Sequence, residues 1–187
     1  MNVLKKIHYK LQTFFLKSRL KSSGKFMVCN PLRVIGANYI EIEDKVFIRE
    51  QIWLEAIKDM DEPSIQIKEG VYIGDFAHIN ACKKILIEED VLIANQVFIT
   101  DHNHNFEDLD LPIRKQGIKV INEVTIGKNS WLGEKVSVIG ASVGRNCIIG
   151  ANSVVTKDIP DYSIAVGSPA RIIKRYCSDT KSWVSVK

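Results

Sequence analysis

Apolar positions recur through residues 124–160 at Ile126, Leu132, Val138, Val143, Ile149 and Val155, a step of six interrupted by one step of five between Val138 and Val143. Gly127, Gly133, Gly144 and Gly150 each follow one of these aliphatics directly. An amphipathic helix repeats every 3.6 residues and a half-buried strand every two, so neither fits. A step of six is the spacing of a parallel β-helix. Ser130, Val136, Cys147 and Ser153 stand four places after an aliphatic and are expected to fill the same interior layer. The residue after the aliphatic is glycine, alanine or polar, which predicts a turn there with φ above zero. Three hexads close one coil of about 18 residues, and coils stack at about 4.8 Å. Parallel crossovers are right-handed in roughly 98% of cases; the hexad spacing alone does not set the hand.

The same pattern runs more loosely through residues 31–99. Ile42, Ile48, Ile67, Ile73, Ile79, Ile87, Ile93 and Ile99 take the inward position, with Val46, Ile52, Val71, Ala77, Val91 and Val97 four places on. Of two interruptions, 58–64 reads as a polar turn at a coil corner, and 82–84 adds two residues between Ile79 and Ile87 so that a corner bulges there. The largest break, residues 100–123, has no periodicity of its own and carries His102 and His104. A long unpatterned segment inside a compact domain tends to be functional. Ahead of the solenoid, Leu4, Ile7, Leu11 and Phe14 recur at helical steps and predict an amphipathic helix from Asn2 to about Leu20. The chain thus divides into a basic helix (1–25), a β-helix (26–175) carrying the loop 100–123, and a C-terminal tail (176–187).

Composition and charge refine this picture. The 187 residues are 45% hydrophobic and 26% charged, ordinary for one folded domain. No apolar run approaches the ~20 residues of a membrane span. Lys10 and Lys17 interrupt the apolar residues of the N-terminus, so no secretory signal is expected there. Cys29, Cys82, Cys147 and Cys177 show no CxxC spacing, which argues against a zinc site or a disulfide framework and fits a reducing cytoplasm. Residues 1–25 hold seven Lys or Arg and no acid, against +4 for the whole chain, so the remainder is net acidic. The helix has two readings: a cap on the open end of the solenoid, or a contact with an anionic membrane surface from the cytoplasmic side. Nucleic-acid binding is not expected, because the basic charge is confined to one short helix.

The motifs VTIGKNSWLG, IIGANSVVTKDIP and AVGSPARIIK resemble those of the hexapeptide-repeat acyltransferases, in particular the maltose, galactoside and surface-polysaccharide O-acetyltransferases. The DHNH loop looks like that of the WbbJ-type branch, which modifies capsule or lipopolysaccharide sugars. The resemblance covers nearly the whole chain. It implies an all-β fold, a left-handed parallel β-helix with a short N-terminal helix and a protruding loop. It further implies a homotrimer, acetyl-CoA as co-substrate in the cleft between subunits, a sugar or glycan acceptor and no metal.

By that resemblance the catalytic histidine lies five residues after the last inward aliphatic before the loop, which points to His104 when counted from Ile99, with His102 as the alternative where gaps shift the count. A sugar hydroxyl is a poor nucleophile near neutral pH, and a neutral imidazole can take its proton as the oxygen attacks the thioester. Asp101 or another carboxylate is a candidate to orient the ring. Direct transfer competes with a covalent acyl-enzyme through Cys147 or Cys82; Cys147 occupies an inward repeat position and reads as core. For the cofactor, the family implies Trp131 beside the active site, Gly133 and Ala151 along the pantetheine arm, Thr156 and Lys157 near the nucleotide, and Arg171 and Lys174 for phosphates. Asn80 resembles an acceptor-side asparagine. The alternatives are N-acetylation of an amino sugar and a γ-carbonic-anhydrase-like metal site built from His78, His102 and His104.

Overall fold

A branched aliphatic every sixth residue has one place to go in a three-sided coil, and the computed structural model, which describes residues 3–22, 24–57 and 64–186, puts each of them there. Its short parallel strands form three faces. The first stacks Met27–Val28, Phe47–Ile48, Tyr72–Ile73, Leu92–Ile93, Trp131–Leu132, Ile148–Ile149 and Ser163–Val166. The second stacks Arg33–Ile35, Trp53–Ala56, His78–Ala81, Phe98–Thr100, Ser137–Ile139 and Val154–Val155. The third stacks Ile40–Ile42, Ile65–Ile67, Ile85–Ile87 and Val124–Ile126, and then thins to single bridges at Val143 and Ile159. That thinning falls at the five-residue step, which leaves too few residues for a full strand.

Register places like on like. Ile42, Ile67, Ile87 and Ile126 pair in succession on the third face, and Ile79, Ile99, Val138 and Val155 on the second. The aliphatics at these positions are at most 2% exposed, as are Val46, Ile52, Val71, Ala77, Val91, Val97, Ser130, Val136, Cys147 and Ser153, the expected second residues of the interior layer. Each fully buried Ile, Leu or Val contributes about 1.5–3 kcal/mol by leaving water, and the ladders turn this into one continuous core.

The glycines act differently from the expectation. Gly127, Gly133 and Gly144 do not adopt positive φ; that conformation falls two residues later, on Asn129 (59°), Lys135 (58°) and Asn146 (52°). Asparagine tolerates the left-handed region better than other side chains, which fits the two asparagines. The glycines are required because the next coil lies directly above them. A Cβ on Gly127 would sit 2.5 Å from Arg145 N, and one on Gly133 would sit 2.7 Å from Ala151 N.

Among the described residues, two insertions share one corner, between the second and third faces. The Cys82–Lys84 insertion and the 101–123 loop both leave the coil there, in successive turns of the stack. The polar turn expected at 58–64 falls almost wholly outside the described residues, since 58–63 are not among them. The loop itself is a hairpin: His102–His104 pairs antiparallel with Ile118–Val120.

The N-terminal helix spans Val3–Lys17 and docks on the first coil. Its buried residues are Tyr9, Thr13 and Leu16, not the Ile7, Leu11 and Phe14 of the apolar stripe, which are 51–70% exposed. The Val28 N–H of the first strand donates to Thr13 Oγ1 at 3.0 Å, and the Asn30 N–H to Gln12 Oε1 at 3.0 Å. Polar groups of the helix therefore satisfy the strand edge. Past the last parallel strand of the first face, Arg171–Cys177 turns back antiparallel against Ser163–Val166, and Ser182–Ser185 pairs on it in turn.

Gly127→Ala should lower stability by about 1–3 kcal/mol through overpacking against Arg145, whereas Asn129→Gly should change it by less than about 1 kcal/mol. Urea unfolding of the two variants checks the distinction; equal losses would contradict it.

Candidate active site

Where the chain leaves the second face after Ile99, Asp101 turns into the corner and is fully buried. The two extra residues in the preceding coil's corner aim a row of backbone donors at its carboxylate. Cys82 N–H donates to Oδ1 at 2.8 Å, and Lys83 and Lys84 N–H donate to Oδ2 at 2.7 and 2.8 Å. His102 Nδ1 lies 2.8 Å from Oδ1, and its ring is 9% exposed. Burial pushes the Asp101 carboxyl up, but the hydrogen bonds from His102 and the three N–H groups outweigh it, and its pKa lies below the ordinary carboxylate value. An ionised Asp101 accepts a hydrogen bond from Nδ1–H, and that tautomer leaves Nε2 with the lone pair a general base requires. Ile121 N–H donates to Asp101 O at 2.8 Å and closes the foot of the hairpin.

His104 sits two residues up the hairpin, exposed, opposite Ile118, and no described residue hydrogen-bonds its ring. The count of five residues from Ile99, taken from the family resemblance, points to His104. The chain instead spends Asp101 on the corner, and this brings His102 to the carboxylate.

Beside the pair runs an outward ladder on the second face. Trp53 and His78 stack at 4.1 Å between ring centroids and 13° between planes, and Phe98 follows at 5.2 Å. Burial pushes the His78 pKa down. Asn80 is in register with Thr100, the residue before Asp101. Trp53 Nε1, His78 Nε2 and Asn80 Oδ1 are all buried without a hydrogen-bond partner. Among the described residues no three His, Cys, Asp or Glu side chains converge to hold a metal ion. His78 is enclosed between rings and His102 is engaged by Asp101, so the carbonic-anhydrase-like arrangement of His78, His102 and His104 is not assembled in this chain.

The residues expected along the cofactor do not form one wall. Trp131 lies on the first face, 46% exposed, and Gly133 and Ala151 stack at the corner between the first and second faces. The contact with Ala151 explains Gly133 within the chain. Thr156 and Lys157 are exposed at the other corner, the one that holds Asp101 and His102, beyond the coil of Ser137–Ile139. Arg171 and Lys174 are exposed on the turned-back strand. Cys147 is core: fully buried, with burial pushing its thiol pKa up. Sequence reasoning did not find the Cys82–Lys84 cradle or the Trp53–His78–Phe98 ladder. The signal for the cradle was the two-residue insertion one coil before the loop.

A family model described as the hexapeptide repeat of succinyl-transferase matches residues 123–157. A Mycobacterium tuberculosis protein named as an acetyltransferase is 43% identical over 114 residues, 60% of this chain and 38% of that protein. WbbJ of Escherichia coli, named as a lipopolysaccharide biosynthesis O-acetyltransferase, is 38% identical over 126 residues, 64% of each chain. The chain thus spans less than two thirds of the length of these relatives. Among solved structures, a galactoside acetyltransferase in complex with coenzyme A superposes with a TM-score of 0.65 at 23% identity, over 95% of this chain and 78% of that one. A maltose O-acetyltransferase from Clostridium difficile gives 0.55 at 28% identity, over 89% and 75%. Fold and repeat together define a left-handed parallel β-helix built of hexapeptide repeats. More particularly, residues 123–157 carry the hexapeptide repeat, and the relatives that the chain resembles are named as acetyltransferases.

Asp101→Asn replaces an acceptor oxygen by a donor amide facing backbone N–H groups, and should cost about 2–4 kcal/mol. A carboxyl held below its unfolded pKa stabilises fully above about pH 4, and that stability is lost as pH falls through the folded value. Urea unfolding across this range should therefore show the wild-type margin over Asp101→Asn shrinking on acidification; a margin independent of pH would contradict it.

Proposed function

We propose that the protein transfers the acetyl group of acetyl-CoA to a sugar hydroxyl, with His102 as general base. The observation that carries this reading is the buried Asp101–His102 pair, set where the regular solenoid opens into a hairpin. In the reaction, His102 Nε2 takes the hydroxyl proton and the oxygen attacks the acetyl carbonyl. The C–S bond breaks, and the proton passes from Nε2 to the departing thiolate, giving the acetyl ester and free CoA. Asp101 holds the ring in one tautomer and stabilises the imidazolium between the two proton transfers. Burial of Cys147 supports direct transfer over an acyl-enzyme at that residue.

The relatives named as O-acetyltransferases favour a hydroxyl over an amine, and WbbJ favours a surface-polysaccharide sugar as the acceptor. The unpartnered Asn80 Oδ1, next to Thr100, supports Asn80 as an acceptor contact. The working unit is a homotrimer. A cofactor lying along the stack meets one edge of a given chain, so Trp131, Gly133 and Ala151 of one subunit and Thr156 and Lys157 of the next would close on it together. Arg171 and Lys174 then supply charge for its phosphates.

His102→Ala should lower acetyl transfer by about 10²–10⁴-fold with acetyl-CoA binding retained, and His104→Ala should keep most of the rate. Steady-state assays with calorimetric titration of acetyl-CoA read both; loss of activity in His104→Ala alone would overturn the assignment. Mass spectrometry of surface glycans from cells with and without the protein identifies the acceptor.

A further inference from the structure

The helix Val3–Lys17 has a second face, which the solenoid does not use. At 100° per residue, Val3, Ile7, Leu11, Phe14 and Phe15 fall on the side opposite Tyr9, Thr13 and Leu16, and they are 71%, 51%, 54%, 70% and 67% exposed. Lys6 and Lys10 run along one border of this stripe and His8 lies along the other, all exposed. Lys5 belongs to the docked side, where it and Tyr9 OH both bind Glu50.

An apolar stripe of this size turned to solvent marks a contact surface. We infer that the outer face of this helix docks the protein on an anionic lipid bilayer, with Ile7, Leu11, Phe14 and Phe15 entering the acyl boundary and Lys6 and Lys10 meeting the headgroups. Two observations select lipid. The apolar stripe and its basic border match an interfacial helix lying in the plane of the membrane. The charge distribution also fixes the orientation: residues 1–25 carry only basic charges, while the rest of the chain is net acidic and is repelled by the same surface. Tyr9, Thr13 and Leu16 hold the helix to the first coil, so the stripe is presented by a fixed platform rather than a loose tail. The inference does not rest on acetyl transfer, and its test uses no catalytic readout.

The test is flotation of the full-length protein with vesicles of phosphatidylcholine alone, or with about a third phosphatidylglycerol, at about 0.1 M and about 0.5 M salt. The protein should float with the anionic vesicles, remain largely behind with the neutral ones, and be released by the higher salt. Lys6→Ala with Lys10→Ala should weaken binding about 30-fold. Ile7→Ser with Phe14→Ser should abolish it, with circular dichroism and light-scattering mass unchanged. Failure of the wild-type protein to float with anionic vesicles would overturn the inference, as would full binding by the Ile7→Ser, Phe14→Ser variant. A lower mass for that variant would assign the face to a contact between copies of the chain and likewise overturn it.

Discussion

A single carboxylate ties together the parts of this molecule that the repeat leaves irregular. Asp101 takes three backbone N–H groups from the corner one coil earlier and a fourth hydrogen bond from the imidazole beside it. Without it, the Cys82–Lys84 corner would bury orphan donors, the hairpin would lose its anchor at the solenoid, and His102 would be free to rotate. Desolvation makes such a group expensive, and saturating it with donors converts the cost into rigidity.

The coils themselves rest on a division of labour along each hexad. Branched aliphatics fill the interior, glycine gives the next coil room to approach, and a residue two places later accepts the left-handed turn. Because each coil contacts only its neighbours, insertions at one corner leave the ladders on the three faces intact. The insertions and the buried Asp101–His102 pair share that corner for the same reason.

The hexads made much of the fold legible: every position of the inward set from Ile42 to Val155 is buried, while Ile40, Leu54, Ile65, Ile85 and Val124, equally buried and each two residues from one of those positions, were not in it. Glycine was harder to read, since a turn residue and a close approach between coils leave the same letter in the sequence. The site was legible as a place and not as a geometry. The loop stood out because its period failed, and Asp101 was a candidate to orient the ring. Which histidine meets the Asp101 carboxylate depends on how the chain turns the corner, and that turn is held by backbone donors of Cys82, Lys83 and Lys84, which have no side-chain signature. The helix was legible in its period, but not in which of its two faces meets the core, because Tyr9 and Thr13 bury themselves through hydrogen bonds rather than hydrophobicity.

The reversal of the chain at Arg171–Cys177 has a consequence for how copies of this protein meet. On the first face every strand up to Ser163–Val166 runs the same way, and such a column is a template on which another column of the same polarity extends without limit. The antiparallel strand ends that template at one end, and the docked helix covers it at the other. End-to-end polymerisation into a fibre is thereby disfavoured. The sides of the prism, by contrast, present no such open-ended template.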